Sequence, residues 1–208
     1  MTEKTTKHYF DLRGLLLIMA GMILDAAASA VLEFTSGKWL IYSGYMVSIA
    51  ASLLYIIGIF IIHTRSEYIR RTKLCIVGML VLSVLIFLLT VMTYYFNDLT
   101  FGSVAAFFAV VLVVVTLMMV FNLLRACADI GEDQGNEDHE IFCNRAWVVY
   151  VTVYSISYVV NGIASNVMTD STNVGLAATI AGIIMKLMIA YICFITYRRF
   201  DAKEIRSY

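Results

Sequence analysis

Residues 14–34 read GLLLIMAGMILDAAASAVLEF. The run is oily along almost its whole length, yet Asp25 stands at its middle. A bilayer core of roughly 30 Å takes about 20 helical residues, so a run of this length and character predicts a transmembrane helix. A carboxylate at the centre of such a helix has lost its water and needs a partner.

Five more runs of the same kind follow, at 39–62, 74–96, 101–124, 146–168 and 174–197. Each is too long for a strand, and none shows the alternating pattern of an outer-membrane barrel. Backbone amides in lipid must bond within their own segment, which selects helices. The expectation is an all-α integral membrane bundle of six transmembrane helices, forming a single domain over 1–208. Composition agrees, with 61% hydrophobic and only 14% charged residues and a mean hydropathy of +0.84. Soluble domains hold about 45–50% apolar and about 25% charged residues. The chain has no proline. Broken transporter helices usually carry Pro or Gly interruptions, so mostly continuous spans are expected.

Net charge is zero, but the 15 basic residues are unevenly placed. Lys4, Lys7 and Arg13 precede the first run, and Arg65, Arg70, Arg71 and Lys73 lie between the second and third. Arg125 and Arg145 bracket the fourth connection, and Arg198, Arg199, Lys203 and Arg206 follow the last run. The opposite loops hold only Lys38. The positive-inside rule then puts both termini in the cytoplasm, in a multi-pass protein of the cytoplasmic membrane. Cys75, Cys127, Cys143 and Cys193 all fall on that reducing side, where structural disulfides are rare. The basic start and the AAASA stretch also match a signal peptide cut after Ala30. The apolar run continues to Phe34, however, and cutting there would take away the deep acidic partner of Lys186. Retention of the first helix is the expectation.

Lys186 is the second ion within the oily runs. Asp25 lies 11 residues into the first and Lys186 12 residues into the last, so both sit roughly 16–18 Å deep and share the midplane. Gly14, Gly21 and Asp25 share one side of helix 1, and Gly175, Gly182 and Lys186 share one side of helix 6. Small residues let helices approach closely in lipid. Helices 1 and 6 are therefore expected to touch through these faces and to pair Asp25 with Lys186. Polar stripes at helical spacing mark helix 5 (Tyr150, Tyr154, Ser157, Tyr158, Asn161, Ser165) and helix 2 (Tyr45, Ser48, Ser52, Tyr55). Helices 3 and 4 are nearly pure hydrocarbon. The candidate binding residues are Asp25, Lys186, Asn161, Tyr154, Tyr158, Tyr45 and Ser52, around a centre built by helices 1, 2, 5 and 6. The alternative is that the hydroxyls and amides are interhelical glue and the charges only fix packing.

The longest connection, 127–145, reads CADIGEDQGNEDHEIFCNR and holds six acids between Asp129 and Glu140. Counted from Asp129, the sixth position is Gln134 where a calcium loop requires glycine. The spacing of Cys127, His139 and Cys143 fits no standard zinc finger. A solvated cytoplasmic loop is expected at 129–140, with docking of a basic protein partner as the alternative. No HExxH, G-x-S-x-G or phosphate-loop motif occurs, and His8, His63 and His139 all lie outside the oily runs. No catalytic residue, metal or cofactor is expected. His139 with Cys143 is the one nucleophile pairing worth checking. Basic residues placed by topology, without interleaved aromatics, give no nucleic-acid surface. Small-solute binding or transport is the expected function, and a non-transporting assembly, regulatory or immunity protein is the alternative.

In size, in helix number and in the A-x-x-x-A spacing of Ala26 and Ala30, the chain resembles the substrate-binding subunits of energy-coupling-factor vitamin transporters. That resemblance implies a partner subunit docked on helix 1. The short outer connections TSGK, NDLT and TDSTN depart from it, because those subunits cap their ligand with a long outer loop.

Overall fold

The computed structural model describes residues 11–34, 38–62, 64, 66–96, 99–167 and 172–200; within these, the side chains of residues 38, 39, 41, 42, 45, 90, 94, 99, 161–167 and 172–175 lie outside the described residues. Six helices account for nearly all of it: α1 (Arg13–Phe34), α2 (Lys38–Ile61), α3 (Glu67–Phe96), α4 (Leu99–Asp133), α5 (Glu137–Val167) and α6 (Thr172–Phe200). No strand occurs among the described residues. Four helices, or stretches of them, are long and apolar enough to cross a membrane: Arg13–Phe34, Glu67–Thr93, Thr100–Asp133 and Leu176–Phe200. In α2 the qualifying apolar stretch is the shorter Met46–Ile61.

The chain forms two compact units, one of residues 1–65 and 127–208 and the other of residues 66–126. In the second unit, α3 and the first part of α4 present broad apolar surfaces, with Leu74, Val81, Val84 and Phe87 each more than half exposed. Its polar contacts gather at one end. The Tyr68 ring meets Phe121 edge-on at 6.4 Å, and the guanidiniums of Arg71 and Arg125 stand over the same ring at 5.4 and 5.6 Å. Arg125 is thus an interior residue of α4, not the last residue before a loop.

In the first unit α1 is antiparallel to both α2 and α6. A Cβ at Gly14 would run into the Gly58 carbonyl of α2, and one at Gly21 would stand 2.8 Å from the Ala51 carbonyl oxygen. The glycine face of α1 therefore belongs to α2, correcting the expectation that it meets α6. Gly58 answers it from the other side, with Ile18 and the Gly14 carbonyl closing on its own missing Cβ. Helix 2 offers Gly58 and Ala51 on the facing side, so the two backbones can approach this closely. The largest fully buried side chains described in this unit lie toward one end: Leu12, Leu15 and Ile18 of α1, Ile59 and Ile62 of α2, Ile130 of α4, His139 of α5, and Ile189 and Ile192 of α6.

The acidic connection is not a long loop. Helix α4 runs to Asp133 and α5 begins at Glu137, leaving three residues between them. Gly135 takes φ +67°, the left-handed conformation that stops α4. The amide of Gly135 donates to the Glu132 carbonyl and that of Asn136 to the Gly131 carbonyl, each at 2.8 Å. The Asn136 side chain then accepts from the His139 amide at 3.0 Å and opens α5, whose first turn carries Glu137, Asp138 and Glu140. All six acids are helical: Asp129, Glu132 and Asp133 end α4, and Glu137, Asp138 and Glu140 start α5, where their charge suits the helix dipole.

Candidate functional site

Asp25 and Lys186 are paired. Lys186 Nζ stands 2.7 Å from Asp25 Oδ2, joining α1 to α6. The second carboxylate oxygen, Oδ1, accepts the Ser48 hydroxyl of α2 at 2.9 Å. Lys186 also donates to Ser29 Oγ at 2.8 Å, and Ser29 passes its own proton to the Asp25 carbonyl at 2.8 Å. Three helices thus meet at one carboxylate, and each ion keeps about a third of its side chain exposed (31% and 30%). Two turns along α1, the Glu33 carboxylate accepts the Thr179 hydroxyl of α6 at 3.2 Å. The pairs Asp25–Lys186 and Glu33–Thr179 fix the antiparallel register of α1 and α6.

The other predicted site residues fare differently. Ser52 is exposed and gives its hydroxyl to the Ser48 carbonyl at 3.0 Å, one turn back on its own helix. Tyr154 stacks on Tyr150 at 5.8 Å, and Tyr150 in turn on Trp147 at 6.3 Å, in a ladder along α5. Tyr158 is more than half exposed. Among the described residues, no hydrogen bond joins Tyr154, Tyr158 or Ser52 to the ion pair, whose hydroxyl partners are Ser29 and Ser48. Tyr45, Asn161 and Gly175 lie outside the described side chains. Ala26 of the A-x-x-x-A spacing is buried at 3% exposure and offers no docking surface.

Ser29, Glu33 and Thr179 were not among the residues singled out in the sequence. Their signal is periodicity: Asp25, Ser29 and Glu33 follow at four-residue steps, and Thr179 and Lys186 at a seven-residue step, so each set lines one stripe.

A second polar cluster closes the packed end of the same unit. His139 is 1% exposed, not part of a solvated loop. Its Nε2 lies 3.0 Å from Thr196 Oγ1 and 3.5 Å from Cys143 Sγ. Thr196 commits its proton to the Ile192 carbonyl at 2.8 Å, so its oxygen accepts and Nε2 carries the ring proton. Nδ1 is then a buried lone pair with no hydrogen-bond partner among the described residues. Gly131 makes room for the ring, since a Cβ there would stand 2.9 Å from His139 Cδ2. Burial, helped by the Arg199 charge, lowers the His139 pKa and keeps the imidazole neutral. Burial pushes the Cys143 thiol well up, and a thiol held protonated is not an attacking nucleophile. Cys127 and Cys193 are buried beside them, and all four cysteines are free thiols. No group of three or more His, Cys, Asp or Glu residues has metal-holding geometry among the described residues.

No described protein family, no curated protein sequence and no solved structure matches the chain.

Proposed function

We propose that the chain is a six-span protein of the cytoplasmic membrane, with both termini cytoplasmic, that binds a small solute at the α1–α6 polar centre and carries it across the bilayer. The observation behind this reading is the 2.7 Å Asp25–Lys186 pair, which keeps about a third of each side chain exposed at midplane depth. A pair whose only task is packing is best served by complete burial, because partial exposure to lipid costs a few kcal/mol with no compensating gain. Partial exposure beside the hydroxyls of Ser29 and Ser48 suits a water-lined site instead. Midplane sites between helices are where small transporters hold their cargo. The full burial of side chains at the end that holds His139 adds direction. In the proposed orientation that end is cytoplasmic, so the site is closed inward.

Native mass spectrometry of the protein, gently extracted from its own membrane, tests this reading. A small molecule retained by the wild type and lost from Lys186→Met supports it. A protein that flies empty in every preparation, or that retains only a partner protein, contradicts it.

A further inference from the structure

Resting on that reading, we infer that the niche between α1 and α6 takes a small zwitterion, with its carboxylate at Lys186 and its ammonium at Glu33. The argument starts from which hydrogen-bonding capacity is already used. Both Asp25 oxygens are engaged, one by Ser48 and one by Lys186. An ammonium has three protons. Lys186 gives one to Asp25 and one to Ser29, and its third has no partner among the described residues. At this end of the niche the open capacity is a donor. At the other end, Glu33 Oε2 accepts from Thr179, and Oε1 has no partner among the described residues. There the open capacity is an acceptor. Asp25 already balances the Lys186 charge, so the uncompensated charge of the niche is that of Glu33, which an ammonium meets. A molecule carrying both charges satisfies both ends.

Geometry sets the size. Side chains in a helix lean toward their own N-terminus. Because α1 and α6 are antiparallel, Lys186 and Glu33 lean toward each other. Lys186 already reaches Ser29, one turn along α1 from Asp25. Between them lies Gly182, on the α6 face that also carries Thr179 and Lys186. No described atom comes within 4 Å of where its Cβ would stand. Thr179 and Lys186 are seven residues apart, about 10 Å along the axis. Because both side chains lean inward, that rise is an upper bound, and contacts of about 3 Å at each end leave at most roughly 4 Å between the charged atoms of the ligand itself. That separation fits a short amino acid.

Equilibrium binding to the full-length protein in lipid nanodiscs, with radiolabelled glycine, β-alanine and γ-aminobutyrate as probes, tests the assignment. At least one probe is expected to bind at millimolar concentration or below. Glu33→Gln and Lys186→Met should each weaken it at least tenfold, Gly182→Leu should abolish it, and equimolar acetate or methylammonium should not displace it. A glutamine at 33 still accepts the Thr179 hydroxyl through its amide oxygen, so the variant keeps the α1–α6 register and removes only the charge. Failure of all three probes, or binding unchanged in Glu33→Gln, overturns the zwitterion. A native ligand that depends on Lys186 but not on Glu33 would also overturn it, while leaving the solute-binding reading in place.

Discussion

Asp25 holds three helices together through its two carboxylate oxygens, and its neighbours are not equally important. Ser48 contributes a single neutral hydroxyl, and such bonds between membrane helices average about 0.6 kcal/mol. Ser48→Ala is therefore expected to lower stability by about that amount. Lys186→Met strands a carboxylate at midplane depth, where translocon scales put the cost near 2.5–3.5 kcal/mol, somewhat less here because the pair is partly exposed. Adding Asp25→Asn removes the stranded charge and should recover most of that loss. Thermal unfolding in one detergent ranks all three; equal losses for Ser48→Ala and Lys186→Met would contradict this ordering. The pairing itself was legible in the sequence, because depth counted from the ends of two oily runs placed both ions at one level. The serines and Glu33 were harder to see. A hydroxyl or an acid near a helix end is common, and only the partner helix shows which stripe faces inward.

At the scale of elements, the glycines separate into two kinds. Gly58 lies against backbone, so Gly58→Ala must push α1 and α2 apart and should cost more than 1 kcal/mol, as overpacking does. Gly182 faces no described atom, so Gly182→Ala should be neutral or stabilise α6 by up to about 1 kcal/mol, through helix propensity alone. Opposite signs of the shift in melting temperature are the check. The sequence showed glycines on both helices but not which helix each one meets. Close approach is a property of the pair, and a residue's own helix carries no record of its partner's bulk.

The α4–α5 connection misled for a different reason. Six acids in a short stretch look like a solvated loop, yet Glu and Ala are good helix formers and Gly135–Asn136 is a stop followed by a start. Asn136→Ala should cost about 1 kcal/mol through the lost cap, and Gly135→Ala a similar amount through its positive φ, both read by thermal unfolding. At the packed end of this hairpin, His139 is held neutral. Its folded pKa lies below the ordinary 6.5, so its contribution is complete above that pH. The contribution is lost as pH falls below about 6.5 toward the folded value, because the unfolded chain then takes up the proton first. Wild-type stability should therefore fall between pH 7 and pH 5 more steeply than that of His139→Asn. Parallel pH profiles would contradict the buried neutral imidazole.

For the whole molecule, the unit built from α1, α2, α5, α6 and the end of α4 buries its largest side chains toward one end and carries the Asp25–Lys186 pair farther along. Helices α3 and α4 contribute apolar surface suited to lipid. Composition and run length were enough to read the helical, membrane-type architecture, since lipid leaves the backbone few options. The function is not legible in the same way, because an ion pair between helices serves packing and solute binding alike. The central claim is that Asp25 and Lys186 serve a solute and are more than a clasp. Exchanging the two charges, as Asp25→Lys with Lys186→Asp, tests it most directly, with melting temperature and ligand retention in native mass spectra read on the same sample. The account predicts a melting temperature restored well above that of either single variant, with the ligand lost. Restoration of both, or a wild type and an exchanged protein that are alike empty, would contradict it.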